Sequence, residues 1–517
     1  MGNQVVWLKK DLRVRDHASL TEAAAAGPCV VLYIYEPEIT KHPTYDAAHH
    51  RFIEQSLTEL EAELESRGGR LVRREGEAVE VLDRLHDACR FEALWSHEET
   101  GHAVSFARDL RVKAWCKSKG VAWHERRQTG VIRGLKDRDG WARRWQRTMS
   151  APIVEPPERI APVDGVESTG PRSAEILGLP ATTMNRHDPG GESVGHAMLE
   201  SFLQERGVNY RADMSSPVEG WEGCSRLSAY LTFGNVSIRQ AYQATRARVA
   251  ELKEKQKSGE KFDRRWFGSL KSYEARLRWH CHFTQKFESE PDIESRNMNR
   301  AYDGLRGDSE ENPFGDVDPA KLDAWKHGQT GYPLIDACMR CLAETGWLNF
   351  RMRAMLASFT SYHLWMHWKA PADFLATRFI DFEPGIHYSQ YQMQSGVTGI
   401  NTVRIYSPIK QAKDQDPNGV FIRRWVPELA EVPDKHLAEP HKLPPMAQRL
   451  ADCEIGKHYP PPIVDHATAY REAKEKTYRR KGQKATRAAS KLVYAKHGSR
   501  KRGRAQRVAS GKFDSAD

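Results

Sequence analysis

The segment SRLSAYLTFGNVS places hydroxyl and cationic side chains at the start of a helical pattern. The residues that open this helix are Ser225, Arg226, Leu227 and Ser228. The first N–H groups of a helix have no partner within it, and together with nearby hydroxyl groups they can hold a phosphate. The segment therefore predicts a phosphate-binding turn, and a simple helix N-cap is the alternative.

The sequence lacks the two common glycine-rich nucleotide motifs. Neither G-x-x-x-x-G-K-[ST] nor a G-x-G-x-x-G that follows a strand is present. Their absence argues against a P-loop enzyme and against the standard dinucleotide-binding fingerprint. A nucleotide cofactor bound by this chain would need other donors for its phosphates, and the turn at residues 225–228 is the candidate.

Two histidine-rich motifs resemble metal sites but have unsuitable spacing. His97 and His102 in HEETGH are one residue further apart than the histidines of a zincin motif, so they would not share a helix face. His280 and His282 flank Cys281, and neighbouring side chains in a helix point apart. We therefore predict no metal ion at either motif.

The cysteines allow one further metal hypothesis. Cys338 and Cys341 form a C-x-x-C inside a helical pattern, and Cys281 and Cys453 could complete the ligand set of an iron–sulfur cluster. Packing of small thiols in a core is the favoured interpretation. Eight scattered cysteines in a long chain do not indicate a disulfide framework.

The elements that would position these residues differ along the chain. Residues 1–135 alternate strand and helix patterns: Val5–Leu8 and Cys29–Tyr35 are short apolar runs, and residues 51–67 place apolar side chains on one helical face. Repeated β-α-β units predict an α/β N-terminal domain with a doubly wound parallel sheet.

The rest of the chain predicts a linker and a second domain. Residues 136–192 form an interdomain linker rich in Pro, Gly and Ser, which would wrap over the surface or be partly disordered. Residues 193–464 predict an all-α C-terminal domain. The expected helices are 193–206, 225–250, 267–287, 331–345, 348–368 and 371–380.

The charge of the chain suggests a polyanionic partner. The net charge is +10 and the pI about 9.1, which indicates nucleic acid first. Residues 465–517 predict a basic low-complexity tail, with sixteen Lys and Arg against Glu472 and Glu475 from Arg471 to Lys512. Such a tail is either solvated or a DNA-phosphate-binding arm.

Membrane and secretion signals are not apparent in the sequence. No apolar run reaches the length of a membrane span, and the apolar piece of MGNQVVWLKKDLRVRD is too short for a signal peptide. We therefore expect a cytoplasmic protein that does not associate with a membrane, and we expect a monomer.

Residues 325–429 carry a resemblance to a known family. They contain WKHGQTGYPLIDACMRCLAETGWLNFRMRAML, WMHWKAPADFLATRFIDFEPGIHYSQYQMQSG and VRIYSPIKQAKDQDPNGVFIRRWVPEL in this order. This order resembles the FAD-binding core of photolyases and cryptochromes, and WLKKDLRVRDHASLTEA is similar to the start of their α/β antenna domain. The resemblance runs to about residue 430 and identifies the chain as a bacterial member without fixing the subfamily.

The resemblance implies an FAD-binding site in the helical domain. The turn Ser225–Ser228 and Tyr210 match the phosphate side. Arg353 and Asp381 match a charge pair beside the isoalloxazine, where we expect a flavin-sized cavity between the two side chains. Glu383 matches a second acid near the ring and the ribityl chain. An isolated surface ion pair is the alternative for Arg353 and Asp381.

Several positions depart from the family's pattern around the flavin. His387 replaces the Asn that faces flavin N5, where a titratable imidazole could affect flavin protonation. The family's tryptophan relay aligns with Tyr391, Trp368 and Gly315, so the standard chain of three tryptophans is broken. Tyr391 and Trp368, together with Trp365, could form a different route.

The residues that match the family's lesion pocket are altered as well. Phe350 replaces the Asn that contacts damaged bases. Arg276 aligns with the substrate-contacting Glu, unless Glu274 supplies the carboxylate after a small shift. Trp279 keeps one of two stacking aromatics and Met393 replaces the other. The lesion type is therefore left open.

The resemblance implies light-driven repair of damaged DNA. Excited reduced FAD would donate an electron to a pyrimidine dimer extruded into the cavity, and the electron would return after the dimer splits. A second antenna chromophore of unknown identity could occupy the N-terminal domain. The alternatives are a cryptochrome-like blue-light photoreceptor without repair activity, and a dark nucleotide-binding or flavodoxin-like module.

Overall fold

The computed structural model describes residues 2–499. The N-terminal domain contains a five-stranded parallel sheet with the strand order β3-β2-β1-β4-β5, which confirms the predicted parallel sheet. The strands are β1 Gln4–Leu8, β2 Cys29–Tyr35, β3 Leu71–Glu75, β4 Ala93–His97 and β5 Ala122–Arg126. Every residue of β1 is buried, as expected for a central strand covered on both faces.

Helices cover both faces of this sheet, as the parallel connections require. They are α1 Ala18–Ala26, α2 Pro37–Thr40, α3 Ala47–Glu65, α4 Ala78–Cys89 and α5 Ala103–Lys119. The next helix, α6 Trp141–Met149, packs on the C-terminal domain, where the Trp145 ring lies 5.3 Å from that of Tyr242. Helix α3 begins with a capping box between Asp46 and His49 and buries Phe52, Leu57 and Leu64 on one face. This is the amphipathic helix that the sequence predicts over residues 51–67.

The linker forms α6 and then lies on the N-terminal domain in an ordered path. The chain after α6 bonds to the domain's backbone: Ile160 N donates to Arg67 O at 2.8 Å, and Cys29 N donates to Ala161 O at 2.7 Å. Of the two expected behaviours, wrapping over the surface is the one that these contacts match.

The C-terminal domain is helical throughout the part that the structure describes, which confirms the predicted fold class. Its helices are α7 Glu192–Gln204, α8 Tyr210–Asp213, α9 Glu219–Gly223, α10 Ser228–Thr232, α11 Ile238–Ser258, α12 Arg265–Ser289, α13 Pro319–Lys326, α14 Pro333–Thr345, α15 Phe350–Ser358, α16 Lys369–Arg378, α17 Pro384–Gln394, α18 Pro408–Gln415, α19 Val420–Trp425, α20 Asp434–Leu437, α21 Pro445–Leu450, α22 His466–Gly482 and α23 Lys484–His497. Helix α12 packs along α17, and these two helices carry many of the predicted site residues.

Two expected helices are interrupted. The single helix predicted over residues 225–250 is α10 and α11, separated at Gly234, whose φ is +74°. A Cβ at this position would lie 2.3 Å from the carbonyl oxygen of Lys10, so the glycine lets the two domains approach closely. The helix expected over 348–368 ends as a π-helical turn at Phe359–His363, before Trp365 adopts a left-handed φ of +52°.

The described part of the basic tail is structured. Helices α22 and α23 pack against the C-terminal domain: Arg480 Nη1 donates to Ala301 O and Asp303 O at 3.0 Å, and Ser490 contacts Asn299. Residues 466–497 of the predicted tail therefore form two helices that contact the C-terminal domain. Residues 500–517, which include the rest of the predicted tail, lie outside the described residues.

None of the helices within residues 2–499 combines the length and the apolar character that crossing a bilayer requires.

Candidate functional site: a charge pair and a phosphate-type turn in the helical domain

Arg353 on α15 and Asp381 after α16 form a direct bidentate ion pair. Both N–O distances are 2.8 Å, and Arg353 Nε also donates to Leu348 O at 2.7 Å. The Asp381 side chain is only 3% exposed. Burial alone would raise the pKa of Asp381, but the adjacent guanidinium outweighs it, so this pKa lies below its usual value.

The direct pairing corrects one expectation. A flavin-sized cavity between Arg353 and Asp381 was expected, but the two side chains are in direct contact, so no such cavity separates them. A carboxylate in a buried site is stabilised most by direct, two-point contact with a guanidinium, which explains why the two groups close on each other.

The turn before α10 reaches the same carboxylate. The Ser228 hydroxyl hydrogen-bonds Asp381, and Thr232 Oγ1 donates to Asp381 O at 3.3 Å. Arg226 has a φ of +59°, a conformation that is uncommon for residues other than glycine and that recurs where backbone is shaped for a ligand. The structure thus brings the predicted phosphate turn and the predicted charge pair together.

The Arg226 side chain is held by protein groups. Its guanidinium lies between the indoles of Trp221 and Trp347, at 4.2 and 4.4 Å from their centroids, and it donates to Asp188 at 2.8 Å. Because Arg226 and the Ser228 hydroxyl both donate to carboxylates, the Ser225 hydroxyl is the better placed side-chain donor of this turn. Leu227 is buried just before α10.

Glu383 and His387 lie at the start of α17. Burial raises the pKa of Glu383, and Lys10 of the N-terminal domain, whose Nζ is 3.5 Å from Oε2, offsets only part of this effect. His387 Nε2 lies 2.8 Å from Ala372 O, a contact in which the ring N–H donates. Burial lowers the pKa of His387 to about 4, so the imidazole is neutral at neutral pH.

His280 on α12 is a site residue that the sequence analysis missed. Both of its ring nitrogens are shielded from solvent and have no hydrogen-bond partner, and burial, followed by the nearby Lys10 charge, lowers its pKa to about 4. Buried polar atoms without a partner are the expected mark of a ligand site. The signal available in the sequence was the i, i+4 spacing of Arg276 and His280, which places both on one face of α12.

An exposed aromatic ring and a cation lie together on α12. Trp279 is 44% exposed, and Arg276 Cζ lies 4.4 Å from its centroid. Phe350, at the start of α15, is 45% exposed. Arg276 Nη2 also contacts Met214 Sδ at 3.8 Å. Glu274 instead lies 3.4 Å from Arg246, so Arg276 is the charged residue that faces Trp279.

One tyrosine connects this part of α12 to the neighbouring helices. Tyr210 on α8 is buried, its hydroxyl meets Arg276, and its ring centroid lies 6.1 Å from that of Tyr273. Asn349 holds the neighbouring loop by donating to Met214 O and Ser216 O, both at 3.2 Å.

Two family models match this architecture. Residues 273–479 match the FAD binding domain of DNA photolyase, and residues 4–133 match the DNA photolyase model. The chain belongs to the photolyase/cryptochrome family. The donors around the Arg353–Asp381 pair fit FAD, because the site offers serine hydroxyls, a balanced charge pair and unsatisfied buried nitrogens.

Relatives span nearly the whole chain. A protein named deoxyribodipyrimidine photo-lyase from Alkalihalophilus pseudofirmus is 26% identical over 92% of this chain and 98% of its own length. A cryptochrome DASH from Gloeobacter violaceus is 28% identical over 89% and 93%. Photolyases and cryptochromes are thus both among the relatives, and their names alone do not decide between repair and signalling.

Solved structures share the fold of the chain. A class III photolyase from Agrobacterium tumefaciens has a TM-score of 0.79 at 24% identity, covering 93% of this chain and 98% of that one. An archaeal photolyase from Sulfolobus tokodaii, described with two FAD molecules, has a TM-score of 0.71 at 24% identity, covering 92% and 100%.

The positions that match the family's electron relay are arranged differently from the expectation. Trp368 lies against the rings of His367 and Tyr388, with centroids 5.2 and 6.1 Å away, while the Tyr391 hydroxyl lies 2.7 Å from Thr360 Oγ1. Gly315 has a φ of +66°, and a Cβ there would lie 2.4 Å from Arg306 O. The outer relay position of this photolyase/cryptochrome member is therefore closed to a side chain.

The remaining predicted residues can be placed within the described part of the chain. Met393 is half-buried on α17.

Two groups of potential metal ligands occur among the described residues. One contains Asp11, His17 and His97, and the other contains His42, His102 and Glu294. Neither group contains a cysteine. His97 and His102 thus fall in separate groups of possible ligands. Cys338 and Cys341 are buried in the helical core, where burial raises the pKa of both thiols.

Proposed function

We propose that this protein is a photolyase-type enzyme that repairs pyrimidine dimers in DNA with blue light. The observation that carries the proposal is the exposed Trp279 ring with the Arg276 guanidinium over it, on a helix of the FAD-binding domain. A half-exposed aromatic ring next to a guanidinium suits a flipped base, which is bound by stacking and by hydrogen bonds.

The residues of the site have distinct roles in this proposal. Trp279 and Phe350 stack the extruded bases, and Arg276, which makes no ion pair among the described residues, is available to bind their carbonyl oxygens. Arg353 and Asp381 keep the site electrically balanced while charge changes on the cofactor. When bound, FAD supplies the light absorption and the transferred electron.

The charge of the chain supports DNA as the partner. A net charge of +10 favours binding to a phosphate backbone, and the photo-lyase names of several relatives point the same way. In the same proposal the protein is a cytoplasmic monomer, and light scattering after gel filtration, with and without DNA, measures its mass directly.

The test is illumination of the FAD-loaded protein with oligonucleotides that contain a cyclobutane dimer or a (6-4) product. We expect light-dependent loss of one lesion and no loss in the dark. The lesion that disappears identifies the substrate. Intact lesions of both kinds, in a sample whose FAD is photoreduced normally, would reject the repair proposal.

A blue-light photoreceptor is the second candidate, and one observation favours it. Helices α22 and α23 form a structured extension that continues past residue 479, where the family model ends. Helix α22 packs on the π-helical turn, and Lys476 lies 5.0 Å from the centroid of Trp365. A light-dependent change in the protease sensitivity of α22 and α23, without repair of either lesion, would support this candidate.

A second chromophore is also part of the proposal. The archaeal relative described with two FAD molecules shows that this fold can carry a further flavin. Chromatography of the chromophores released from the purified protein, related to the chain concentration, tests this point. A single flavin per chain and no other pigment would reject it.

A further inference from the structure

Tyr388 on α17 occupies an unusual position for a tyrosine near a flavin site. Its ring is fully buried and lies 5.4 Å from the His387 ring and 6.1 Å from the Trp368 ring. Its hydroxyl donates to Asp373 Oδ1 at 2.9 Å. Asp373 also pairs with Lys369 Nζ, so the carboxylate is held in place.

A buried aromatic that loses an electron must dispose of its positive charge, because an unpaired charge is costly away from water. A tyrosine can do so by giving its hydroxyl proton to a base, which leaves a neutral radical. Asp373 is such a base and is already in hydrogen-bond contact with the Tyr388 hydroxyl.

The neighbouring aromatics have no comparable acceptor. Trp368 Nε1 donates to the amide oxygen of Asn297 at 2.8 Å, and an amide is not a base at neutral pH. Among the described residues, the Tyr391 hydroxyl hydrogen-bonds the Thr360 hydroxyl, at 2.7 Å. Neither acceptor is a base at neutral pH, so a radical cation on Trp368 or Tyr391 would either stay charged or lose its proton unfavourably.

Trp365, the surface-side candidate, has two cations near its ring. Arg306 Cζ and Lys476 Nζ are 4.8 and 5.0 Å from its centroid, and two nearby positive charges disfavour a radical cation on this indole. Lys369 Nζ lies 5.2 Å from the Tyr388 centroid, but transfer of the hydroxyl proton to Asp373 leaves that ring as a neutral radical, which the lysine charge does not oppose.

We propose that Tyr388 is the residue that ends up oxidised when the flavin is photoreduced. One electron leaves Tyr388 for the light-excited oxidised FAD, and the hydroxyl proton moves to Asp373 Oδ1, giving a neutral tyrosyl radical and a protonated carboxyl. The O–H bond breaks at Tyr388 and forms at Asp373, so atoms and charge balance. This inference rests on the flavin photochemistry of the proposed function.

The test is electron paramagnetic resonance of the FAD-loaded protein under blue light, without DNA. We expect a tyrosyl signal, which narrows when the protein is made with ring-deuterated tyrosine. Tyr388→Phe should lose this signal, and Asp373→Asn, which keeps the tyrosine, should lose it or form it more slowly. Tyr332→Phe is the matched control, because that buried tyrosine donates to Val464 O instead of a carboxylate.

Each result decides the inference. A tryptophanyl signal in the wild-type protein, or an unchanged tyrosyl signal in Tyr388→Phe, overturns it and leaves the repair proposal standing. If Tyr388→Phe does not fold, the deuterated wild-type protein and Asp373→Asn still decide. A protein that binds FAD but shows no photoreduction overturns this inference, while the lesion assay with chemically reduced FAD decides the repair proposal separately.

Discussion

Arg353 and Asp381 lie 28 residues apart in sequence and share two hydrogen bonds of 2.8 Å each. Ser228 adds a third donor to the same carboxylate, so the pair ties the phosphate-type turn to the end of α16. The pair is therefore both a structural contact and a fixed, balanced charge beside the cofactor site.

Replacing Asp381 with Asn should destabilise the protein and reduce FAD binding. The change leaves the Arg353 guanidinium without its counter-charge in a largely buried site, which costs about 3 kcal/mol. We expect a lower denaturant midpoint and less released FAD per chain than in the wild type.

The matched control for this change is Glu428→Gln, which removes a carboxylate bound to Arg340 at 2.7 Å away from the site. It should leave the FAD content unchanged. Wild-type FAD content and stability in Asp381→Asn would contradict the role of the pair.

Stability should fall as the pH is lowered from about 6.5 to about 4. The folded-state pKa values of His280 and His387 are about 4, against about 6.5 for a free histidine, so the unfolded chain binds more protons across this window. Each group can add a slope of up to about 1.4 kcal/mol per pH unit.

Urea unfolding of the wild type and of His387→Asn over this window measures the effect. We expect a shallower pH dependence in the variant, and parallel curves above neutral pH, where His387 is neutral in both states. Equal slopes below about pH 6.5 would show that burial does not hold this imidazole neutral.

Trp279→Ala and Phe350→Ala should each weaken binding to lesion-containing DNA. Loss of one stacking ring costs about 1–3 kcal/mol, which is about 5- to 150-fold in Kd. The affinity for undamaged duplex should change little. Phe314→Ala is the control, because Phe314 has a similar exposure of 46% on the groove near Trp365. An equal loss in the control would show that the effect is not specific to these two rings.

The exposed cations of α22 and α23 allow a test of the DNA-arm hypothesis without removing packed helices. Lys474→Glu with Lys484→Glu should weaken DNA binding and make its salt dependence shallower, because each lost phosphate contact lowers the slope by about 0.9. Lys113→Glu with Lys117→Glu on the exposed side of α5 is the charge-matched control. Identical behaviour of the two double variants would reject the arm.

The features that the sequence predicted correctly follow from local pattern. Apolar strand runs and β-α-β alternation predict the parallel sheet, and ordered motifs over residues 325–429 indicate the family and its cofactor. Helix α3 ends close to its predicted boundary, because its capping residues and its apolar face are all readable within one segment.

The features that were missed depend on contacts between distant segments. The helix expected at residues 225–250 breaks where Gly234 meets the backbone of the N-terminal domain at Lys10. The Arg226 side chain is taken up by Trp221 and Trp347, which a local motif cannot show. Helices α22 and α23 are polar in sequence but gain partners on the folded surface of the helical domain.

The most direct test of the account is the action spectrum of lesion loss. The rate of loss of the repaired lesion is measured at several wavelengths and compared with the absorption spectrum of the purified, FAD-loaded protein. The account predicts that the two spectra follow each other and that Trp279→Ala loses repair while keeping its FAD. Lesions that stay intact at every wavelength absorbed by the bound flavin would contradict it.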